Sequence, residues 1–302
     1  IRIPADTHGP AITAAMWTPC MEAPTAIKVE QFTLQATPDC PIMGEKLPLI
    51  IISHGYGGGS LSHRDTAQAL ADNGFVVVAI SHPHANYADM SQANGMGVLI
   101  ERPIDIKRTI DFMLGPSPDA ESIDPQHVGF YGFSQGGYTG LVVAGANPNF
   151  SKLPPRCADP KVTECTPADQ RRPFQREQPP QSWTHDPRVK AMVIADPLST
   201  VFLTADSVRD VKIPLQLWGS QLGGGQDAEP ENVAKLAVLL PNKPDFVVVP
   251  NARHLSFGAP CPNTASSSDA YCADAPGFDR VAFHKQFNAA IVAFFRKHLM
   301  QP

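Results

Sequence analysis

The sequence lacks the features that mark membrane-spanning and nucleic-acid-binding proteins. No run reaches the roughly eighteen consecutive apolar residues that a membrane-spanning helix needs. Lysine and arginine number 24 against 29 aspartates and glutamates, so the formal net charge is −5. The one dense basic pair, Arg171 and Arg172, lies among prolines rather than along a helix face. We therefore expect no integral membrane association and no nucleic-acid partner.

The sequence also lacks internal repeats, low-complexity tracts and the composition of a disordered chain. Hydrophobic residues make up 43% and charged residues 18%, which supplies enough apolar material for a core on both faces of a sheet. At 302 residues the chain is long for one domain, but α/β domains with inserted loops reach this size. We expect a single domain over residues 1–302.

No CxxC motif is present, which makes a structural zinc site the weaker explanation for the cysteines. The six cysteines fall into three sequence-local pairs, Cys20/Cys40, Cys157/Cys165 and Cys261/Cys272. Their even number and their positions outside the apolar runs favour three disulfides, although six cysteines allow other pairings and free thiols. Disulfides form in oxidising compartments, so we expect a secreted or periplasmic protein, the mature form of a chain whose leader was removed.

Strand-like and helix-like patterns alternate along most of the chain, which predicts a mostly parallel sheet flanked by helices. Nearly continuous apolar runs predict buried strands at 47–55, 75–82, 127–134, 189–196, 213–219 and 245–250. Helical periodicity predicts helices at 61–73, 99–114, 135–146, 231–240 and 279–299, with Ser60 or Ser62 as the candidate cap of the first. Pro103 is expected in the first turn of its helix, where proline is tolerated.

Two regions of the chain depart from this alternation, one near the amino terminus and one after the helix at 135–146. Residues 11–18 and 27–35 are β-prone runs joined by a proline-containing turn, and they predict an antiparallel pair at the edge of the sheet. Residues 147–188 are rich in Pro, Asp, Arg and Gln and lack periodicity. Because this stretch is too long for a simple connection, we interpret it as an inserted loop that forms a lid region.

The motif Gly132-Phe133-Ser134-Gln135-Gly136 matches GxSxG between a predicted buried strand and a predicted helix. In this context the glycines allow a sharp turn that holds the serine out at the end of the strand. Ser134 is therefore the candidate nucleophile. The alternative is a tight strand-to-helix turn without catalysis.

Backbone amides near this turn are candidates for an oxyanion hole. The N–H of Gln135 lies at the start of the helix after Ser134, where the helix dipole favours negative charge. A glycine-rich turn, His54-Gly55-Tyr56-Gly57-Gly58, follows the strand at 47–55 and can direct the Tyr56 N–H to the same point.

His254 follows the last predicted strand and is the candidate general base. An imidazole titrates near neutral pH, so it can take the serine proton and return it to the leaving alcohol. The alternative is that His254 is a surface histidine without a catalytic role. His82 and His84 form an HxH pair that could bind a metal, but no cysteine or carboxylate cluster lies near them in sequence. We expect no metal, and we expect His54 to brace the oxyanion turn.

Two acids stand between Ser134 and His254 at places where the third member is expected. Asp196 ends the strand at 189–196, whereas Asp227 stands beyond a run of three glycines. A rigid strand end suits a preorganised Asp–His hydrogen bond, so Asp196 is preferred and Asp227 stays open as the alternative.

Three segments, SHGYGGG (53–59), GFSQGGY (132–138) and VVPNARHLSFGAPC (248–261), resemble α/β-hydrolases of the bacterial dienelactone-hydrolase-like group, related to platelet-activating factor acetylhydrolases. AITAAMWTP (11–19) and ERPIDIKRTIDFML (101–114) are also similar to that group. The resemblance covers most of residues 11–300 and is weaker over 147–188.

This resemblance implies the α/β-hydrolase fold and hydrolysis of short-chain, lipid-like, lactone or polyester esters by Ser134 and His254, without a metal or an organic cofactor. In the acetylhydrolase branch the acid follows the strand after the nucleophile helix, which matches Asp196. Other relatives carry it after the next strand, where this chain has Leu222 and glycines. Classical dienelactone hydrolases use a cysteine nucleophile, so dienelactone itself is not the expected substrate. Two alternatives are an amidase or peptidase with the same residues and a noncatalytic binding protein with this fold.

Overall fold

A computed structural model describes residues 1–150, 182–202, 204–225, 228–261 and 270–300. Within them the strands, numbered in chain order, are β1 (Arg2–Ile3), β2 (Ile12–Trp17), β3 (Thr25–Val29), β4 (Phe32–Ala36), β5 (Leu47–Ser53), β6 (Val76–Ser81), β7 (Ile123–Phe133), β8 (Val189–Ala195), β9 (Leu215–Ser220) and β10 (Asp245–Val249). The α-helices are α1 (Arg64–Ala71), α2 (Met96–Met113), α3 (Gln135–Val143), α4 (Ala205–Val208), α5 (Pro230–Leu239) and α6 (Arg280–Leu299).

Eight of these strands form one sheet in the order β1-β2-β6-β5-β7-β8-β9-β10. All neighbours from β6 to β10 pair in parallel, while β2 runs antiparallel to both β1 and β6. The mostly parallel sheet predicted from the alternating pattern is therefore confirmed.

Helices cover both faces of the sheet, which explains why its central strands are apolar on both sides. Along β5, Leu49 and Ile51 pack into a core with α2, α3 and α5, whereas Ile50 and Ile52 pack into a second core with α1 and α6. These four side chains are buried. Because successive strand residues point to opposite faces, one unbroken apolar run serves both cores.

The carboxyl ends of the parallel strands meet along one edge of the sheet. Four segments therefore converge there: the loop after β5, Ser134 after β7, Asp196 after β8 and the short 3-10 helix His254–Phe257 after β10. Open α/β sheets bind ligands at this edge. The fold thus gathers the residues that the sequence selected, although Ser134 and His254, for example, are 120 positions apart.

The prediction for the amino-terminal strands is wrong in its pairing. β2 pairs with β6 inside the main sheet, and the predicted strand at 27–35 is the hairpin of β3 and β4, a separate two-stranded sheet. The chain reverses at Glu30 and Gln31, and Glu30 has a positive φ of 53°. Hairpin turns are usually recognised from glycine or asparagine at positions with positive φ. Because a glutamate occupies this position, the sequence did not reveal the turn.

Helix α2 differs from the prediction because it begins earlier and contains Pro103 in its interior rather than in its first turn. A proline inside a helix has no N–H to donate to the carbonyl four residues back, here that of Leu99. The hydroxyl of Tyr138, on α3, donates to the Leu99 carbonyl at 3.3 Å. This tertiary hydrogen bond replaces the partner that Pro103 removes.

Helix α1 begins at Arg64 rather than at 61, and neither Ser60 nor Ser62 caps it. Its N-cap is His63, which makes no capping hydrogen bond with its side chain. The Ser62 hydroxyl instead accepts from the Gly59 amide at 2.9 Å, in the loop before the helix. Ser62 therefore stabilises the turn before α1 and does not cap the helix.

Disulfides join Cys20 to Cys40 and Cys261 to Cys272, as the sequence-local pairing predicts. Cys157 and Cys165 lie outside the described residues, as does most of the predicted insert, residues 151–181. Among the helices that the structure describes, none is long and apolar enough to cross a bilayer.

Candidate active site

Ser134 occupies a strained turn between β7 and α3. Its φ of 55° and ψ of −117° lie outside the regions that residues with a side chain normally adopt. A strained backbone of this kind costs about 1–3 kcal/mol and persists only where the surroundings hold it. Three backbone hydrogen bonds do so. The Ser134 amide donates to the Ala195 carbonyl at 3.0 Å, and the Ser134 carbonyl accepts from the Leu198 amide at 3.0 Å and from the Tyr138 amide at 3.1 Å.

The two glycines of the GxSxG motif are required by the close packing of this turn. A Cβ on Gly132 would collide with the Gly136 carbonyl, and one on Gly136 would collide with the Ser53 carbonyl at the end of β5. The first turn of α3 therefore lies directly against the end of β5. This contact brings Gln135 next to the loop that follows β5.

His254 lies beside Ser134 in a tightly packed position. Its Nε2 is 3.0 Å from the Ser134 Oγ, and its ring centroid is 4.7 Å from that of Phe133. A Cβ on Gly225 would lie 2.7 Å from the imidazole, and the His254 amide donates to the Gly223 carbonyl at 2.7 Å. The glycine run therefore packs against the imidazole.

Asp196 is the acid that contacts His254. Its Oδ2 is 2.8 Å from His254 Nδ1, and its side chain is fully buried directly after β8. A carboxylate can only accept hydrogen bonds, so Nδ1 carries the proton and Nε2 is free to accept from the Ser134 hydroxyl. Asp227, the alternative acid, lies outside the described residues.

Ser220 supports Asp196 and was missed by the sequence analysis. It ends β9, and its amide and hydroxyl donate to Asp196 Oδ1 and Oδ2 at 2.7 and 2.6 Å. The position of Ser220 could have identified it, because β8 and β9 are parallel neighbours and their carboxyl ends lie side by side. Together with His254 Nδ1, these donors give Asp196 three hydrogen bonds without contact with water.

The backbone amides of Tyr56 and Gln135 are the predicted oxyanion donors, and the segments that carry them lie beside Ser134. An ideal Cβ on Gly55 would lie 3.1 Å from the Ser134 Cβ, so the loop carrying Tyr56 passes beside the serine. Gln135 is the first residue of α3. Neither amide donates to another residue in the part of the chain that the structure describes. Both amides therefore remain candidates for the oxyanion hole.

Comparison with known proteins finds similarity to an acetylhydrolase family and to an esterase. Residues 3–94 match the family model described as platelet-activating factor acetylhydrolase, isoform II. Over 163 residues the chain is 26% identical to the candidate esterase NocK of Nocardia uniformis subsp. tsuyamanensis, covering 49% of this chain and 46% of that protein. The chain thus spans about half the length of this curated relative.

Solved structures resemble the chain over most of its length. A ferulic acid esterase from Streptomyces cinnamoneus superimposes with a TM-score of 0.64 at 16% identity, over 97% of this chain and 84% of that one. A dienelactone hydrolase from Anabaena variabilis gives a TM-score of 0.51 at 16% identity, over 91% and 97%. The chain therefore has the α/β-hydrolase fold. The resemblance predicted from the sequence motifs is therefore confirmed.

A buried polar network lies behind the carboxyl edge of the sheet. His54 accepts the His82 amide at Nε2, at 3.2 Å, and its Nδ1 donates to the Gly55 carbonyl at 2.6 Å. His82 in turn lies 2.9 Å from both Ser53 Oγ and Asp105 Oδ2. His54 therefore braces the turn that precedes Tyr56, as the sequence analysis expected.

Burial determines the charges in this network. It lowers the pKa of His54 and of His82 well below the ordinary value, so both imidazoles are neutral at pH 7. Burial also raises the pKa of Asp105 to about 7. His84, the other histidine of the HxH pair, contacts Asp89 at 2.8 Å instead. Among the described residues no group of three His, Cys, Asp or Glu side chains could hold a metal ion.

Proposed function

We propose that this α/β-hydrolase is a serine carboxylic-ester hydrolase with Ser134 as nucleophile, His254 as general base and Asp196 as the orienting acid. One observation carries the proposal: the unbroken hydrogen-bonded chain from the Ser134 hydroxyl through the imidazole to the buried carboxylate. The same three groups in this order activate serine in unrelated hydrolases.

In the first step Ser134 Oγ attacks the ester carbonyl carbon while His254 Nε2 takes the hydroxyl proton. The carbonyl oxygen becomes an oxyanion, and the amides of Tyr56 and Gln135 donate to it. The imidazolium is stabilised by Asp196 at Nδ1. Collapse of the tetrahedral species breaks the bond to the alcohol oxygen, which receives the proton from His254, and leaves an acyl group on Ser134.

In the second step water replaces the alcohol. His254 takes a proton from the water as its oxygen attacks the acyl carbon, and the same amides hold the new oxyanion. Collapse releases the carboxylic acid and returns the proton to Ser134 Oγ. The cycle uses only protein groups and water, so it requires no metal or organic cofactor.

We propose neutral carboxylic esters as substrates, in the range of short-chain, lipid-like, lactone or polymeric esters. The similar solved structures support this range, since one is named a ferulic acid esterase and another a dienelactone hydrolase. We also propose a secreted or periplasmic location, which the two disulfides support because such bonds persist in oxidising compartments.

A matched pair of substrates tests the reaction class. p-Nitrophenyl acetate and p-nitroacetanilide carry the same acyl group and differ in the leaving atom. We expect kcat/KM for the ester to exceed that for the anilide at least about a thousandfold, because a leaving amine needs stronger protonation than a phenol. Comparable turnover of both would favour the amidase alternative, and turnover of neither would favour a noncatalytic binding protein.

A further inference from the structure

A pocket of about 370 Å³ lies beside Ser134 on the side of helix α1. Three of its lining residues adjoin the proposed active site. Gly55 belongs to the loop that carries Tyr56, Phe133 directly precedes Ser134, and Leu255 directly follows His254. The pocket therefore adjoins the proposed active site without including Ser134 or His254 in its lining.

Aromatic rings are enriched in the lining of this pocket. Five of its nineteen lining residues are Phe or Tyr, whereas these residues and Trp make up 8% of the chain. The five are Phe32, Tyr56, Tyr87, Phe133 and Tyr271. Aromatic rings prefer edge-to-face and offset contacts with other rings, so such a lining favours a ring over a flexible chain.

The charged groups of the lining are already paired. The Arg64 guanidinium donates to the Pro260 carbonyl at 2.6 Å and lies 4.1 Å from the centroid of the Phe32 ring. Glu30 accepts the Tyr87 hydroxyl, which raises the pKa of Tyr87 to about 12. Burial lowers the pKa of His63 to about 4, so this side chain is neutral at pH 7. The pocket therefore suits an uncharged group.

Several contacts hold the pocket in shape without a ligand. The Arg64 contact with Phe32 fixes the β3–β4 hairpin over the start of α1. Gly59 lets the Tyr87 ring approach the backbone, since a Cβ there would lie 2.6 Å from the ring. The Cys261–Cys272 disulfide ties the opposite wall. A preformed pocket lowers the entropic cost of ordering a ligand.

We propose that this pocket binds an aromatic ring in the acyl or alcohol part of the ester, which makes aromatic esters the preferred substrates. This inference rests on the proposed ester hydrolysis. An apolar cavity of about 150 Å³ is sufficient to hold benzene. The pocket, at about 370 Å³, accommodates a ring together with the linker that joins it to the ester.

Two pairs of esters with equal numbers of carbon atoms test the preference. The first pair, methyl 3-phenylpropanoate and methyl nonanoate, compares an aromatic with an aliphatic acyl group. The second pair, benzyl acetate and heptyl acetate, compares an aromatic with an aliphatic alcohol group. We expect kcat/KM for the aromatic ester to be about tenfold higher in at least one pair. We expect Phe32→Ala to lower that ratio about fivefold, because an aromatic contact is lost.

Leu34→Ala is the matched control for Phe32→Ala. Leu34 is also a half-buried apolar residue of β4, but it does not line the pocket. The control should leave the ratio as in the wild type. The inference would be overturned if kcat/KM for each aliphatic ester equalled or exceeded that for its aromatic partner. It would also be overturned if Phe32→Ala left the ratio of aromatic to aliphatic kcat/KM unchanged. Failure to hydrolyse any ester would instead reject the proposed function.

A second inference concerns Arg102 of α2, whose side chain is completely buried behind the active edge. Its guanidinium donates to the His54 carbonyl and, at 3.4 Å, to Gln135 Oε1. It also donates to Ser53 Oγ at 3.2 Å and to Thr139 Oγ1 at 3.1 Å. One side chain therefore joins the loop before Tyr56 to the first turn of α3.

We infer that Arg102 is a positioning residue that fixes the spacing of the two oxyanion donors. Tyr56 and Gln135 lie on different segments, and their amides must converge within hydrogen-bond distance of one oxygen. The guanidinium is a planar group with five donors and suits such a multidentate clamp. Lysine carries the same charge on a single nitrogen and cannot replace these contacts.

Two variants, Arg102→Lys and Arg102→Met, test this role, because a displaced oxyanion donor should lower kcat and leave KM nearly unchanged. We expect both to lower kcat about ten- to a hundredfold with KM changed less than about threefold, since a donor displaced by about an ångström loses transition-state stabilisation. The affinity for a trifluoromethyl ketone, which forms an oxyanion on Ser134, should fall in parallel.

Arg108→Lys is the control, because Arg108 is the other arginine buried on α2 and contacts Asp6, Asp105 and the backbone of residues 4–10. It should lower the melting temperature while kcat stays within about twofold of wild type. An unchanged kcat and unchanged ketone affinity in folded Arg102→Lys would overturn the positioning role. So would an equal loss of kcat in Arg108→Lys.

Discussion

Replacing Ser134 by alanine is expected to lower kcat for p-nitrophenyl acetate by about ten-thousandfold or more. The substitution removes the atom that forms the acyl-enzyme, and the residual rate reflects the oxyanion donors and substrate binding alone. Ser134 is half-buried and its hydroxyl makes one hydrogen bond, to His254, so the fold should tolerate the loss. Steady-state kinetics together with a melting curve measure both effects.

The control for this variant is Ser117→Ala. Ser117 is a buried serine far from the carboxyl edge of the sheet, and its hydroxyl accepts the Asp119 amide at 3.2 Å. Its replacement should leave kcat within about twofold of the wild type. A Ser134→Ala protein that is folded and retains more than a hundredth of the wild-type kcat would exclude Ser134 as the nucleophile.

Replacing Asp196 by asparagine is expected to lower kcat by about a thousand- to ten-thousandfold with a small change in KM. An amide at this position can donate to His254 Nδ1, which favours the tautomer that has its proton on Nε2. That tautomer cannot accept the proton of Ser134. The hydrogen bond from the Ser220 amide to Oδ1 can persist, so the loss should lie in catalysis rather than in folding.

Two further variants separate the role of Asp196 from its alternatives. Ser220→Ala removes the 2.6 Å hydrogen bond to Asp196 Oδ2 and should cost about tenfold in kcat, because the carboxylate remains but is held less firmly. Asp227→Asn should leave kcat unchanged. Loss of activity in the Asp227 variant with retention in Asp196→Asn would transfer the acid role to Asp227.

The sequence predicted most of the elements that position the candidate site. Buried parallel strands produce continuous apolar runs, and the GxSxG turn adds glycines at fixed offsets, so β5, β7 and α3 were recognisable from local patterns. Strand ends in a parallel sheet converge on one edge, and this rule predicted that Ser134, Asp196 and His254 meet. Their hydrogen-bonded contacts agree with it.

Residues whose roles depend on long-range contacts were not predictable in the same way. Arg102 appears in the sequence as a polar position of an amphipathic helix, yet it is buried and reaches both α3 and the loop after β5. Ser220 carries no motif, and only its register beside β8 relates it to Asp196. The glycines at 223–225 suggested a flexible run, whereas the structure packs Gly225 against the imidazole.

Pro103 shows why the predicted helix boundaries were inaccurate. Proline was assigned to a first turn because its missing N–H is harmless there. The helix extends seven residues before Pro103, and Tyr138 from another helix satisfies the Leu99 carbonyl. No pattern within α2 reveals that a tyrosine 39 residues away supplies this hydrogen bond.

The most direct test of the account is covalent labelling with a fluorophosphonate, followed by mass spectrometry of the intact chain and of its peptides. We expect one phosphonyl group per chain, located on the peptide that contains Ser134, with hydrolysis of p-nitrophenyl acetate lost in proportion to labelling. A chain that hydrolyses the ester while Ser134 remains unlabelled, or that carries the label on another residue, would contradict the account.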